Sequence, residues 1–305
     1  MTTRKIAAEN TGPVTIDAAL FGHGGTITVR AAADCERATL TVHTADEEGP
    51  AADAVREATL RQSGTGLYVS VEGKGGTSGG TTIITGGGRR GTSVYQSFGT
   101  VTGSVTGMTI VGGDVVVNGV RISGNGGTTV INGSSPIEIT ATVPEGSSVI
   151  GRTQSADVIA EGAILNVTGN TQSGDVRAGH VARVDASTQS GDVVVDRAAQ
   201  ITAKTQSGDV RLGRTDVVEG NTMSGDIRIG DFGGTARLKT MSGSIHVHAT
   251  AGGDLSARTM SGDVTVTATE AALGDNLDVQ ANSMSGRVRT PQRRSGSSSP
   301  RRRSF

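Results

Sequence analysis

The sequence predicts an all-β fold: a single-stranded β-solenoid (β-helix) with a strand-rich N-terminal cap region. Three observations carry this expectation. A phrase close to TQSGDV occurs eight times between Thr153 and Val288, 17 to 19 residues apart until a last gap of 24. Gly supplies 47 of the 305 residues, Trp is absent and aromatic residues make up 2%. The apolar content arrives as Val, Ile, Leu and Ala in short runs alternating with polar residues, the strand period of two. So short a period cannot hold a helical hairpin and falls below the common horseshoe and propeller repeats. It suits one coil of a solenoid, which buries its apolar face only against its neighbours. With few large rings available, the core must be narrow and filled by stiff β-branched side chains.

Residues 1–72 read as the strand-rich cap. Alternating segments such as Thr26-Ile27-Thr28-Val29-Arg30 and Leu67-Tyr68-Val69-Ser70-Val71 are strand candidates, expected to run antiparallel, and Ala51 to Leu60 has helix-forming composition. A cap is expected because a bare terminal coil presents an open strand edge. Residues 73–93 hold nine glycines and read as a loop or linker, with a hairpin through Thr82–Thr85 as the alternative. Residues 94–290 form the predicted solenoid, its first part as degenerate coils continuous with the clear array. Residues 291–305, rich in Arg, Ser and Pro, have nothing to bury and are expected to be disordered.

Within the phrase, the apolar anchors Val158, Val176, Val193, Val210, Ile227, Ile245, Val264 and Val288 are the predicted structural core of the repeat, one internal file. Alternation turns the preceding residue outward. This generates a surface column of Asp157, Asp175, Asp192, Asp209 and Asp226, with Arg177, Arg211 and Arg228 beside it to offset the repulsion of stacked carboxylates. Such a column could gather calcium. The Gly-Gly-x-Gly-x-Asp nonapeptide of calcium-binding β-rolls is absent, however, and Ser244 and Arg287 interrupt the acids. A solvated corner in which Ser and Asp cap backbone donors is the simpler account. The second position switches from Gln154, Gln172, Gln189 and Gln206 to Met223, Met241, Met260 and Met284. It reads as an interior file of amide ladder and adaptable Met packing, with an outward stripe as the alternative.

No convergent catalytic set is legible. His246 and His248 lack a nearby acid or Cys for a closed zinc site, Cys35 is alone, and no phosphate loop or serine elbow occurs in its required context. No cofactor and no metal site are expected. A polysaccharide-active β-helix would need paired acids in a groove, and this array has uniform corners. The formal net charge of −1 divides into a body of about −6 and a tail of Arg293, Arg294, Arg301, Arg302 and Arg303. Those arginines could hold nucleic acid or an anionic membrane weakly by charge alone. The opening MTTRKIAAEN lacks an apolar signal region, and no stretch approaches the length of a membrane span. A cytoplasmic location is therefore expected, with non-classical export as the alternative.

The SGDV and SGDI phrases, Gly12-Pro13-Val14-Thr15-Ile16, Gly24-Gly25-Thr26-Ile27-Thr28-Val29 and Ala141-Thr142-Val143-Pro144-Glu145-Gly146 resemble the DUF4097 group of bacterial β-strand-repeat proteins. The likeness covers Ile6 to Val288. It implies a β-solenoid with an adhesin-like role and brings no catalytic residues with it. A looser second resemblance is to the self-assembling bactofilin scaffolds. Together these readings imply a non-enzymatic scaffold or binding protein acting through its repeat surface on a protein or a surface glycan, with homo-oligomerisation as a further expectation.

Overall fold

The computed structural model describes residues 1–73 and 135–291, together with the backbone of six strands between residues 80 and 131. The tail arginines Arg293 to Arg303 lie outside the described residues, as do residues 74–79 of the expected Gly-rich loop.

The repeats form an all-β stack. Strands Val176–Thr188, Val193–Thr205, Val210–Thr222, Ile227–Ser242 and Ile245–Ser261 follow one another along the chain, each hydrogen-bonded in parallel to the next. Register is held by the motif: Val176 faces Val193, Val193 faces Val210, Val210 faces Ile227, and Ile227 faces Ile245. Burial alternates as the pattern demands. Val158, Val176, Val193, Val210, Ile227, Ile245 and Val264 are fully buried, and Ala186, Ala203, Leu238 and Ala257 are buried on the later part of the same repeats.

Departures from the 17-residue spacing fall at one corner. Thr215 faces Phe232, yet Val217 faces Thr235, so the extra residue of the 18-residue interval is inserted between them. Phe232, which closes the core there, is completely buried. The next insertion falls between Ala249 and Gly253. The longest interval lies between Ala268 and Leu277, and it contains the short helix Glu270–Gly274, capped by the Thr269 side chain accepting from Ala272 N–H at 3.2 Å. Insertions at one corner leave the stacked walls in register.

The N-terminal strands join this sheet rather than lying over it. Thr15–Phe21 is parallel to both Ser148–Thr153 and Gly66–Glu72, and Gly25–Ala32 is parallel to both Asp157–Glu161 and Ile137–Pro144. Only beyond these does pairing become antiparallel, through Thr39–Thr44, Thr2–Ala7 and Thr59–Ser63. The wholly antiparallel cap expected from sequence is thus corrected: discontinuous segments complete parallel walls before reversing strands cover them. The helix Pro50–Glu57 buries Ala51, Ala52, Ala54 and Val55 at that end.

Between residues 80 and 131 the structure departs from the expected degenerate coils. Gly80–Gly87 pairs antiparallel with Gly91–Phe98 and Thr128–Ile131, and Asp114–Val117 pairs antiparallel with Met108–Val111 and Val120–Ile122. Intervals of two or three residues suffice for a hairpin, whereas a parallel return needs a much longer connection. The strand Gly80–Gly87 also replaces part of the expected loop at 73–93. At the opposite end, Leu277–Ser283 and Val288–Arg289 pair on one side only among the described residues. Val288 keeps register with Val264 but is 42% exposed, because no further repeat covers it among the described residues.

Candidate functional site

The repeated phrase builds a corner whose backbone is almost fully bonded. The buried Thr188 Oγ1 accepts the N–H of Gly191 at 2.9 Å; Thr171 and Thr205 do the same for Gly174 and Gly208. Further along, Thr240 and Thr259 donate to the carbonyls of Gly225 and Gly243 in the preceding repeat. The Gly is required by close approach: a Cβ on Gly191 would lie 1.9 Å from the carbonyl oxygen of Gly174. Each Ser continues the ladder through its backbone, as Ser190 N–H does to the Gln172 carbonyl at 2.8 Å.

The Asp column is half-buried and linked from repeat to repeat. Asp157 Oδ1 accepts from Asp175 N–H, Asp175 from Asp192, Asp192 from Asp209, Asp209 from Asp226, and Asp226 from Ser244, all at 2.8–2.9 Å. The second carboxylate oxygens of Asp175, Asp192, Asp209 and Asp226 meet arginines. Arg211 bridges Asp192 at 2.6 Å and Asp209 at 2.7 Å, Arg228 bridges Asp226 at 2.7 Å and Asp209 at 3.5 Å, and Arg177 holds Asp175 at 2.9 Å. Its hydrogen bond to Asp192 pushes the Arg211 guanidinium above its usual range, opposed by desolvation and helped by the surrounding carboxylates. Sequence reasoning placed the acids and arginines together but missed that each carboxylate caps the next repeat rather than its own turn. These oxygens are already committed, and among the described residues no group of three or more His, Cys, Asp or Glu side chains could hold a metal ion.

The interior reading of the second motif position is overturned. Met223, Met241, Met260 and Met284 are 46–77% exposed, and Gln154, Gln172, Gln189 and Gln206 are exposed as well. This position immediately follows the buried Thr, so alternation turns it outward at the corner. His246 and His248 are also exposed; His248 Nδ1 lies 2.9 Å from the Thr267 hydroxyl. Cys35 is half-exposed, its Sγ 3.2 Å from the Arg37 carbonyl oxygen.

Two concavities mark the walls. One, of about 530 Å³, follows Gln172, Gln189 and Gln206 with Arg152 and Lys204 beside them. The other, of about 670 Å³, lies on the face carrying His180, Arg197 and Arg214, bordered by Leu165, Ala182 and Ala199. His180, Arg197 and Arg214 occupy equivalent positions in successive repeats. Their alignment was missed because they lie between the phrases, where the sequence does not visibly repeat.

The family model described as Toastrack DUF4097 matches residues 26–303. The chain belongs to the DUF4097 family. The match takes in every copy of the corner motif and the segment Ala141–Gly146, and begins within Gly24–Val29, leaving Gly12–Ile16 outside it. No curated protein matches this DUF4097 chain. Among solved structures, a candidate adhesin from Parabacteroides merdae shares 9% identity at TM-score 0.42, covering 95% of this chain and 96% of that one. A candidate lipid-binding protein from Parabacteroides distasonis shares 12% identity at TM-score 0.43, covering 95% and 97%. A candidate adhesin from Bacteroides fragilis shares 12% at TM-score 0.40, covering 94% and 96%. Likeness at this level carries no function to the DUF4097 chain.

Proposed function

We propose that the chain is a non-enzymatic binding scaffold, adhesin-like in action, whose repeats close into a β-solenoid and present residue columns to a protein or surface glycan. The observation that carries the reading is the in-register parallel ladder. It repeats one outward chemistry at strand spacing, about 4.8 Å, over successive repeats. An extended linear partner can meet such a row with equivalent contacts at each step.

Chain geometry supports closure of the coil. Val193 lies beside Val176 while Thr188 lies beside Thr205, and only residues 189–192 separate Thr188 from Val193. Thirteen residues in a straight strand would span about 43 Å, whereas five Cα steps reach at most about 18 Å. The strand must therefore bend back on itself within each repeat. Opposing walls also approach: a Cβ on Gly169 would lie 2.8 Å from the Val176 side chain.

The bonded corner favours binding over hydrolysis. The most regular acids are held by backbone N–H groups and arginines, so their oxygens are engaged within the stack rather than offered to a glycosidic bond. Incubation with a panel of neutral and acidic polysaccharides tests the proposal, with binding and the release of new reducing ends or unsaturated products followed together. Retention of at least one polymer without turnover is expected. Reproducible turnover would establish the enzymatic alternative instead.

A further inference from the structure

We infer that the concavity beside His180, Arg197 and Arg214 is a subsite for an acidic glycan, a chain of uronate residues lying along the repeat axis. This rests on the binding-scaffold reading and gives it a location and a ligand chemistry.

Two of the arginine-bearing faces of the stack are bonded differently. On the Asp face, Arg177, Arg211 and Arg228 are each held by a carboxylate at 2.6–2.9 Å, so that face neutralises itself. On the other, Arg197 has no ion pair among the described residues, and the nearest for Arg214 is Asp231 at 3.9 Å. Arg197 and Arg214 nevertheless stand directly across one parallel ladder, with His180 directly across from Arg197 on the other side. Like charges opposed at strand distance repel unless an anion lies between them. An available guanidinium fork is suited to bidentate contact with a carboxylate.

The surroundings select the ligand. Leu165, Ala182 and Ala199 border the column; the short Ala side chains leave room in the shallow concavity, about 670 Å³ in all, for the less polar face of a sugar ring. Among its lining residues, Glu145 precedes the column's repeats and Asp216 lies in the Arg214 repeat, and Asp231 stands directly across from Arg214 at the next step, so acids border and end a row of three basic positions. A sugar residue advances the polymer by roughly the spacing between strands, about 4.8 Å, so successive uronates can meet successive repeats. No Phe, Tyr or Trp lines the groove to stack a nucleobase, which favours a glycan over single-stranded nucleic acid.

The test is calorimetric titration of the full chain with polygalacturonate oligosaccharides, neutral dextran and oligothymidylate, at low and at physiological salt. The paired substitution Arg197→Gln and Arg214→Gln removes the column at exposed positions, and Arg258→Gln removes an exposed charge from another face. Binding of polygalacturonate but not dextran is expected, weakened about ten-fold or more in the paired variant and unchanged in Arg258→Gln. Circular dichroism and the unfolding midpoint establish that the paired variant is folded; if it is not, Arg197→Lys and Arg214→Lys replace it, retaining charge but losing the fork, and weaker binding is again expected. Equal uronate affinity in the folded variant overturns the subsite but leaves the scaffold reading intact. No uronate binding by the unsubstituted chain, or tighter binding of oligothymidylate, also overturns it.

Discussion

The carboxylate of Asp192 accepts the backbone N–H of Asp209 at 2.8 Å, one repeat further along the chain. The same oxygen-to-amide contact recurs along the column and makes the acids a continuous seam rather than a row of isolated charges. Replacing Asp192 by Ala strands the Asp209 amide and frees one arm of Arg211. The expected loss is about 1–3 kcal/mol of stability, measured by urea unfolding. Asp192→Asn keeps an oxygen acceptor and should lose less. Equal losses would mean that charge, not amide capping, is what the column contributes.

The corner glycines are expected to divide by the space around them. Gly191→Ala places a methyl group against the Gly174 carbonyl and should cost about 1–3 kcal/mol or more. Gly179→Ala meets its nearest neighbour, the Ala160 carbonyl oxygen, at an ordinary 3.7 Å and should change stability by less than about 0.5 kcal/mol. Parallel thermal melts compare them, and a reversed order would contradict the described stacking.

Because Met223 is 50% exposed, Met223→Gln, which extends the column of Gln172, Gln189 and Gln206, should shift stability by no more than about 0.5 kcal/mol. A loss of about 2–5 kcal/mol, the range for a buried methionine cut to Ala, would restore the interior reading.

Acid should weaken the N-terminal end through His23. Its ring is buried, its Nε2 has no partner among the described residues, and burial lowers its pKa below the ordinary 6.5. The unfolded chain therefore takes up a proton on this group before the folded chain does. The stabilising contribution is complete above about pH 6.5 and is lost as pH falls through that value toward the lower folded pKa. Melting at about pH 7.5 and about pH 5 should show a smaller drop in His23→Leu than in the unsubstituted chain. An equal drop would assign the acid sensitivity to other groups.

Much of the architecture was legible because it repeats. The interval between phrases specified a repeat of nearly constant length, the Val and Ile anchors specified which side chains stack, and Asp beside Arg specified a shared outer face. Those features are local, set by side-chain alternation and by spacing along the chain. Other features depended on contacts that leave no local mark. Gln154 and Met223 hold the same motif position, but whether that position faces in or out is decided by the sharp turn after the buried Thr. The discontinuous strands Thr15–Phe21 and Gly25–Ala32 were legible as strands, yet three of their four parallel partners lie more than a hundred residues away. His180, Arg197 and Arg214 have no common phrase around them. Only hydrogen-bond register brings them into one row, because spatial equivalence in a stack is set by the ladder and not by similarity of the residues on it.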